Sequence, residues 1–325
     1  MIVKKLWLSL FLVFLTLPVL AQNSIEDYQR IHIPIYTISG DLQIAIRVFK
    51  INGIPSFLTV NPDTLTTQVI AISSLHSHSS VQTKKPGYFT AWNVESRLYY
   101  QLLNQTTAGP YSLENQGLTH IDNLKHGNIL TIDLCPSSKP FEAEFFNTLI
   151  KRSEKLKKPV PIVIAVSGMW IVAHPDEFQW LVKHQRQHLL DITWANHSFS
   201  HVYYSDVPYP NNFLLSPGTN KTLEILQTEK YLLEAGELPS VFFRFPGLIS
   251  NQEWMEMLKN FGLIPLGTDA WIANLVRNHQ IITPGGIILV HGNSNEHQGI
   301  VDLTAILETL EFINIKEAIS QRVKR

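Results

Sequence analysis

Between residues 42 and 48 the apolar Leu42, Ile44, Ile46 and Val48 alternate with Gln43, Ala45 and Arg47. A period of two predicts a half-buried β-strand. The same texture runs from Ile31 to about Tyr100, interrupted at Gly40, Asn52-Gly53, Asn61-Pro62 and Pro86-Gly87. Those turn residues predict several short strands. After Gly127 the pattern changes. An apolar run over 129–132 ends at Asp133 and Pro136, and 141–158 carries apolar residues at helical spacing with a basic end. A second buried strand is predicted over 161–166, stopped by Gly168, then a helix from 176 to about 190. The alternation continues through 222–235, 240–244, 252–261, 286–291 and 303–312. Repeated βα units bury a parallel sheet or barrel and leave reactive groups at the carboxyl ends of its strands. Asp133, Arg244 and His291 fall at such ends.

Composition narrows the picture. The chain has 325 residues, 45% of them hydrophobic, enough to bury a large core. Charged residues make up 16% and the net charge is −1. Nucleic acid is excluded as a partner, because tracking phosphates needs a basic excess. The start of the chain reads as an export signal: Lys4 and Lys5, an apolar run over 6–17, then Val19 and Ala21 as the small residues before a cut preceding Gln22. The run is shorter than the roughly 20 residues a membrane span needs, so no stable membrane anchor is expected after cleavage. Gln22 is not a cysteine, which argues against a lipid anchor. The predicted locale is secreted or periplasmic. Cys135 is the one cysteine, so no disulfide forms within the chain.

Four segments can carry chemistry. In Asn196-His197-Ser198-Phe199-Ser200-His201 the imidazoles are four apart and share a face if this is one helical turn, placing both within reach of one divalent cation. The pair is otherwise structural. In Thr131-Ile132-Asp133-Leu134-Cys135-Pro136 a carboxylate ends an apolar strand; Asp133 is either a satisfied structural group or a catalytic one. Cys135 reads as a buried, inert thiol, with metal ligand or nucleophile as the alternatives. Arg244-Phe245-Pro246-Gly247 and Leu289-Val290-His291 each close a strand, with a guanidinium that can orient a carboxylate and an imidazole that can donate a proton. His76 and His78 read as solvated loop residues rather than ligands. Trp170, Trp194 and Trp271 lie near these motifs and read as core residues, with stacking on sugar rings as the alternative.

The order of these segments resembles the polysaccharide deacetylases of the NodB-homology type, carbohydrate esterase family four. Their successive signatures are matched by 131–136, 197–201, 244–247, Asp269-Ala270-Trp271 and 289–291. The likeness spans roughly 118–317. It implies a distorted (β/α) barrel of the polysaccharide deacetylase type, here preceded by a small β-rich N-terminal region. The expected organisation is a signal peptide at 1–21, the β-rich accessory region at 22–117 and the deacetylase-like domain at 118–325. Carried over residue by residue, the resemblance makes Asp133 the general base, His197 and His201 metal ligands, Arg244 the group that orients Asp133, and His291 the general acid with Asp269 as its partner. The backbone N–H of Gly247 would hold the oxyanion, where the family usually has an aromatic residue, and Trp271 would contact substrate.

One departure matters. The family's second aspartate, its third metal ligand, is Leu134 here, and leucine cannot coordinate. Either Asp133, Cys135 or an acid or histidine from a nearby loop completes the shell, or metal binding is weakened or lost. The activity implied is metal-assisted removal of N-acetyl groups from an amino-sugar polysaccharide such as peptidoglycan or a chitin-like glycan. The alternatives are a glycan-binding protein without catalysis and a metal-free hydrolase. Two imidazoles with an oxygen donor suit zinc, and also cobalt or nickel.

Overall fold

The structure, a computed structural model, describes residues 22–75, 94–275 and 281–323. The leader at 1–21 and the histidines at 76 and 78 lie outside the described residues. Four strands come first, β1 (Ile25–Tyr36), β2 (Leu42–Ile51), β3 (Ile54–Val60) and β4 (Thr67–Ala71), followed by helix α1 (Leu98–Thr107). They form an antiparallel sheet in chain order. The period-two texture thus ends sooner than the sequence reading places it. Leu98, Tyr99, Leu102 and Leu103 are the buried face of α1, spaced as a helix and not as a strand.

The second sheet is parallel and has seven strands. They are β5 (Ile129–Leu134), β6 (Val160–Val166), β7 (Leu190–Asn196), β8 (Pro239–Arg244), β9 (Ile264–Leu266), β10 (Ala270–Trp271) and β11 (Ile287–His291). Their spatial order is β10-β11-β5-β6-β7-β8-β9. Helices α2 (Ala143–Leu156), α3 (Gly168–Ala173), α4 (Pro175–Arg186), α5 (Lys221–Glu234), α6 (Gln252–Phe261), α7 (His297–Ile306) and α8 (Ile315–Val323) fill the connections. The helix expected over 303–312 begins at His297 instead, and strand β7 follows α4 where the sequence pattern ran on as helix. Segment 118–121 bridges the open edges, with Leu118 N–H donating to Pro265 O (2.8 Å) and Ile121 N–H to Gly285 O (2.9 Å). The result is the distorted (β/α) barrel that the motif order implies, with the antiparallel sheet beside it. Among the described residues, no helix is long and apolar enough to cross a membrane.

Strands buried on both faces read as continuous apolar runs. In β5, Leu130, Ile132 and Leu134 pack outward with Phe145, Phe146 and Leu149 of α2. Ile129 faces inward, as do Val163 and Ala165 of β6 and Phe242 of β8. The apolar part of that inner face is completed by Ile44, Ile46, Leu58 and Val60 from β2 and β3 and by Tyr99 and Leu102 from α1. The two sheets therefore share one core.

Their seam is polar as well as apolar. Arg47 was expected on the solvent face of a half-buried strand, yet it is fully buried. Its Nε and Nη2 donate to the two Glu229 carboxylate oxygens of α5 at 2.7 and 2.8 Å, and Nη1 donates to Phe261 O at 2.8 Å. Tyr28 OH donates to the same carboxylate at 2.9 Å. A register shift between Ala45 and Arg47 turns Arg47 onto the face of its partner Leu58, where α5 and α6 meet the sheet, and the guanidinium is tolerated because a bidentate anion faces it. Removing one partner leaves a bare buried charge. Glu229→Leu is expected to lose about 3–5 kcal/mol of unfolding free energy in urea titration. The double variant Arg47→Met/Glu229→Leu should recover most of it; a double variant as unstable as the sum of the singles would show that the pair is not a unit.

Candidate functional site

Strand register assembles the first half of the site. In the β11–β5 ladder His291 is the direct partner of Asp133, so the two side chains emerge side by side at the carboxyl end of the sheet. Arg244 ends β8, three strands from β5, but the sheet curls enough for its Nη2 to donate to Thr131 Oγ1 at 3.0 Å. Its Nη1 lies 3.7 Å from Asp133 Oδ1. That is too long for a hydrogen bond and close enough for charge to matter. Arg244 is wholly buried and Asp133 is 3% exposed.

The histidine pair comes together by a route the sequence reading did not anticipate. His197 follows directly on β7 and the chain does not form a helical turn: Ser198 and His201 have φ of +64° and +46°. Left-handed backbone of this kind is tolerated by histidine more readily than by most residues, and here it turns both rings inward, their centroids 4.7 Å apart. The loop is held by Glu224 of α5, whose carboxylate accepts from Phe199 N (3.0 Å), Ser200 N (2.9 Å) and Ser200 Oγ (2.6 Å). Glu224 was not singled out in the sequence, where it is one acid in the first turn of a helix. His197 Nδ1 donates to the Arg244 carbonyl at 2.9 Å, which fixes the tautomer and leaves Nε2 with its lone pair toward the cleft. That Nε2 is 3.4 Å from Cys135 Sγ and 3.7 Å from Asp133 Oδ2. One ligand atom each from Cys135, His197 and His201 lie within 4.8 Å of one another.

Asp133, Cys135, His201 and His291 line a cleft of about 860 Å³ together with Tyr203, Tyr209, Phe213, Gly247 and Trp271. Gly247 has φ +61°, and a Cβ there would sit 2.5 Å from Phe213 Cζ. The space an aromatic residue at 247 would need is taken by the Phe213 ring, which arrives from a different loop and stacks on Tyr203 at 5.1 Å. Asn212 braces that loop, donating through Nδ2 to Tyr204 O and Val207 O at 2.6 and 2.7 Å. Trp170 and Trp194, by contrast, are sealed in the core and cannot reach a sugar.

The partner expected for His291 is corrected. Asp269 is bonded to His120, Oδ2 to Nδ1 2.8 Å, and does not line the cleft. His291 Nδ1 instead lies 2.7 Å from Glu296 Oε2, which also accepts from Trp271 Nε1 at 2.8 Å. Glu296 sits just past β11, where the chain turns back toward the strand end. Its role depends on the path of that turn, which residue spacing alone does not disclose.

The electrostatics follow from burial and proximity. Burial lowers the His197 pKa, outweighing the pull of Asp133. Burial would also strip the proton from His291, but the Cys135 thiol and the Glu296 carboxylate beside it raise that ring well above the ordinary histidine value. For Cys135, burial works against the thiolate, yet His201 and His291 outweigh it and bring the thiol down to about 7. A carboxylate at the floor, the His197 and His201 imidazoles to one side and the His291 imidazole, its pKa raised, to the other can activate water and protonate a leaving group. The buried His201 Nε2, without a hydrogen-bond partner among the described residues, and the aligned Nε2 of His197 are donors suited to a divalent cation such as zinc.

Residues 26–100 match the family model described as RP012 protein N-terminal domain. Among solved structures, the chain is similar to a family 4 carbohydrate esterase from Bacillus anthracis, at 17% identity and a TM-score of 0.45 over 68% of this chain and 91% of that one. It is also similar to a CE4 family pseudoenzyme from Bacillus anthracis, at 16% identity and a TM-score of 0.44 over 64% and 70%. A third similar structure is the peptidoglycan deacetylase PdaC from Bacillus subtilis, at 15% identity and a TM-score of 0.40 over 62% and 93%.

Proposed function

We propose that the cleft removes N-acetyl groups from an amino-sugar glycan by hydrolysis, releasing acetate and a free amine. The observation that carries this reading is the convergence of Asp133, His201 and His291 on one opening at the carboxyl end of the sheet, with the buried His197 Nε2 beside Asp133. His197 and His201 would hold a divalent cation, zinc being the best suited and cobalt or nickel alternatives; when bound, it would polarise the amide carbonyl and acidify a water. Asp133 takes the proton of the attacking water, its carboxylate oriented from behind by Arg244. Gly247 N–H is the donor offered to the oxyanion, a contribution of about 3 kcal/mol where such a donor is well placed. His291 gives its proton to the departing nitrogen and Glu296 keeps the ring turned toward it. Tyr203 and Tyr209, each about half exposed at the rim, offer flat faces for sugar rings. The leader read at 1–21 supports an envelope or extracellular glycan as substrate, met after export.

Acetate release from acetylated chitooligosaccharide and from peptidoglycan tests the reading, with zinc or cobalt supplied. Asp133→Asn is expected to lower turnover by about 10²–10⁴-fold while near-ultraviolet circular dichroism stays unchanged. Undiminished turnover would remove Asp133 from the mechanism, and no acetate from any N-acetylated glycan with the native chain would leave glycan binding without catalysis. Glu296→Gln should reduce kcat by roughly 10–100-fold with KM little altered, because it orients the acid and does not bind substrate. An unaltered kcat would sink that role.

A further inference from the structure

We infer that Cys135 is the third protein donor of the metal centre, completing a Cys-His-His set with His197 and His201; this rests on the metal-assisted reading of the cleft. The residue one position earlier does not do that task. Leu134 belongs to the outward row of β5 with Leu130 and Ile132 and is fully buried against α2. Side chains alternate along a strand, so the residues that reach the cleft are Asp133 and Cys135, on either side of it. Both line the opening.

The distances fit a tetrahedral ion. Zinc bonds of about 2.1 Å to nitrogen and 2.3 Å to sulfur put neighbouring donors roughly 3.4–3.8 Å apart. Cys135 Sγ is already 3.4 Å from His197 Nε2, and all three donor atoms lie within 4.8 Å, so closure needs movement of about an ångström. His197 is pre-set, with Nδ1 held by the Arg244 carbonyl. His201 Nε2 is buried and has no hydrogen-bond partner among the described residues. The backbone at 135 is tied as well, its carbonyl accepting from Asn293 Nδ2 at 3.0 Å.

Two rival roles are weaker. An inert core thiol is surrounded by hydrocarbon, whereas this one meets the His197 ring and lines the cleft with His201 and His291. Asp133 as third ligand would draw the base away from Arg244 and leave a buried guanidinium without its anion. Three protein donors also leave a fourth position open for water or substrate, the arrangement of catalytic zinc sites, and a thiolate favours zinc or cobalt over hard cations.

Cobalt is the probe. The purified chain loaded with Co²⁺ should show near-ultraviolet thiolate-to-cobalt charge transfer, and bound Zn²⁺ should protect Cys135 from a disulfide thiol reagent, a measurement that needs no variant. Cys135→Ala should abolish the band and weaken cobalt binding by roughly 100-fold, with Cys135→Asp recovering part of the affinity without the band. Stoichiometric cobalt with neither band nor protection would overturn Cys135 as a ligand and leave the two-histidine site standing. Failure of the native chain to bind cobalt or zinc at any loading would overturn this assignment and the metal-assisted reading together.

Discussion

A guanidinium that water cannot reach organises the functional end of this protein. Arg244 is sealed inside the curled sheet, and a buried cation is costly unless anions and acceptors surround it. Its side chain turns to Thr131 and Asp133 on β5, while its main-chain carbonyl receives the His197 ring. One residue thus fixes the bearing of a carboxylate on one strand and the tautomer of an imidazole on another. The base and the ligand are coupled through it, although nothing bonds them directly. Because the contact crosses from β8 to β5, it also requires the sheet to curl.

The opposite end of the same curl is filled differently. Barrel interiors are packed with side chains unless they hold a ligand, and here Ile44, Ile46 and Val60 of the antiparallel sheet join Val163, Ala165 and Phe242 in the inner core. Arg47 and Glu229 seal that junction with a bidentate pair. The inner space is consequently divided into an apolar region shared with the N-terminal strands and a polar cleft. Glu229 and Glu224 both belong to α5; one clamps the N-terminal sheet and the other clamps the 197–201 loop. A single helix therefore links the seam to the metal-ligand loop.

Which features were legible in the sequence follows from how locally each is determined. Asp133, Arg244 and His291 end apolar runs, and a strand end is a local property, so their placement could be read from pattern. The proximity of His197 and His201 was also visible, but the helical turn invoked for it is replaced by left-handed backbone at Ser198 and His201, stabilised by Glu224 from a distant helix. Spacing allowed the meeting without specifying its geometry. The partner of His291 was misread for a related reason. Asp269 lies next to Ala270, the partner of Ile288 in the neighbouring strand, yet its side chain meets His120, and Glu296 is delivered by a turn whose path no periodicity encodes. Arg47 looked like a solvent residue because strict alternation assumes an unbroken register, whereas the register shift between Ala45 and Arg47 turns its side chain to the face of Leu58.

The same alternation explains why the leucine at 134 is more than a missing ligand. Its side chain closes the outer core where β11 leaves the sheet: a Cβ on Gly292 would lie 2.7 Å from Leu134 Cδ2 and 2.8 Å from Ile132 Cγ2. Backbone at Gly292 and side chains of β5 are in direct contact, and Gly292 N–H donates to the Asp133 carbonyl at 2.9 Å. An aspartate at 134 would set an ionisable group among Phe146, Ile132 and Val166, where a charge has no partner to offset its desolvation. In β5 and the turn after it, the residues of this chain that line the cleft are therefore Asp133 and Cys135, while Leu134 serves the outer core.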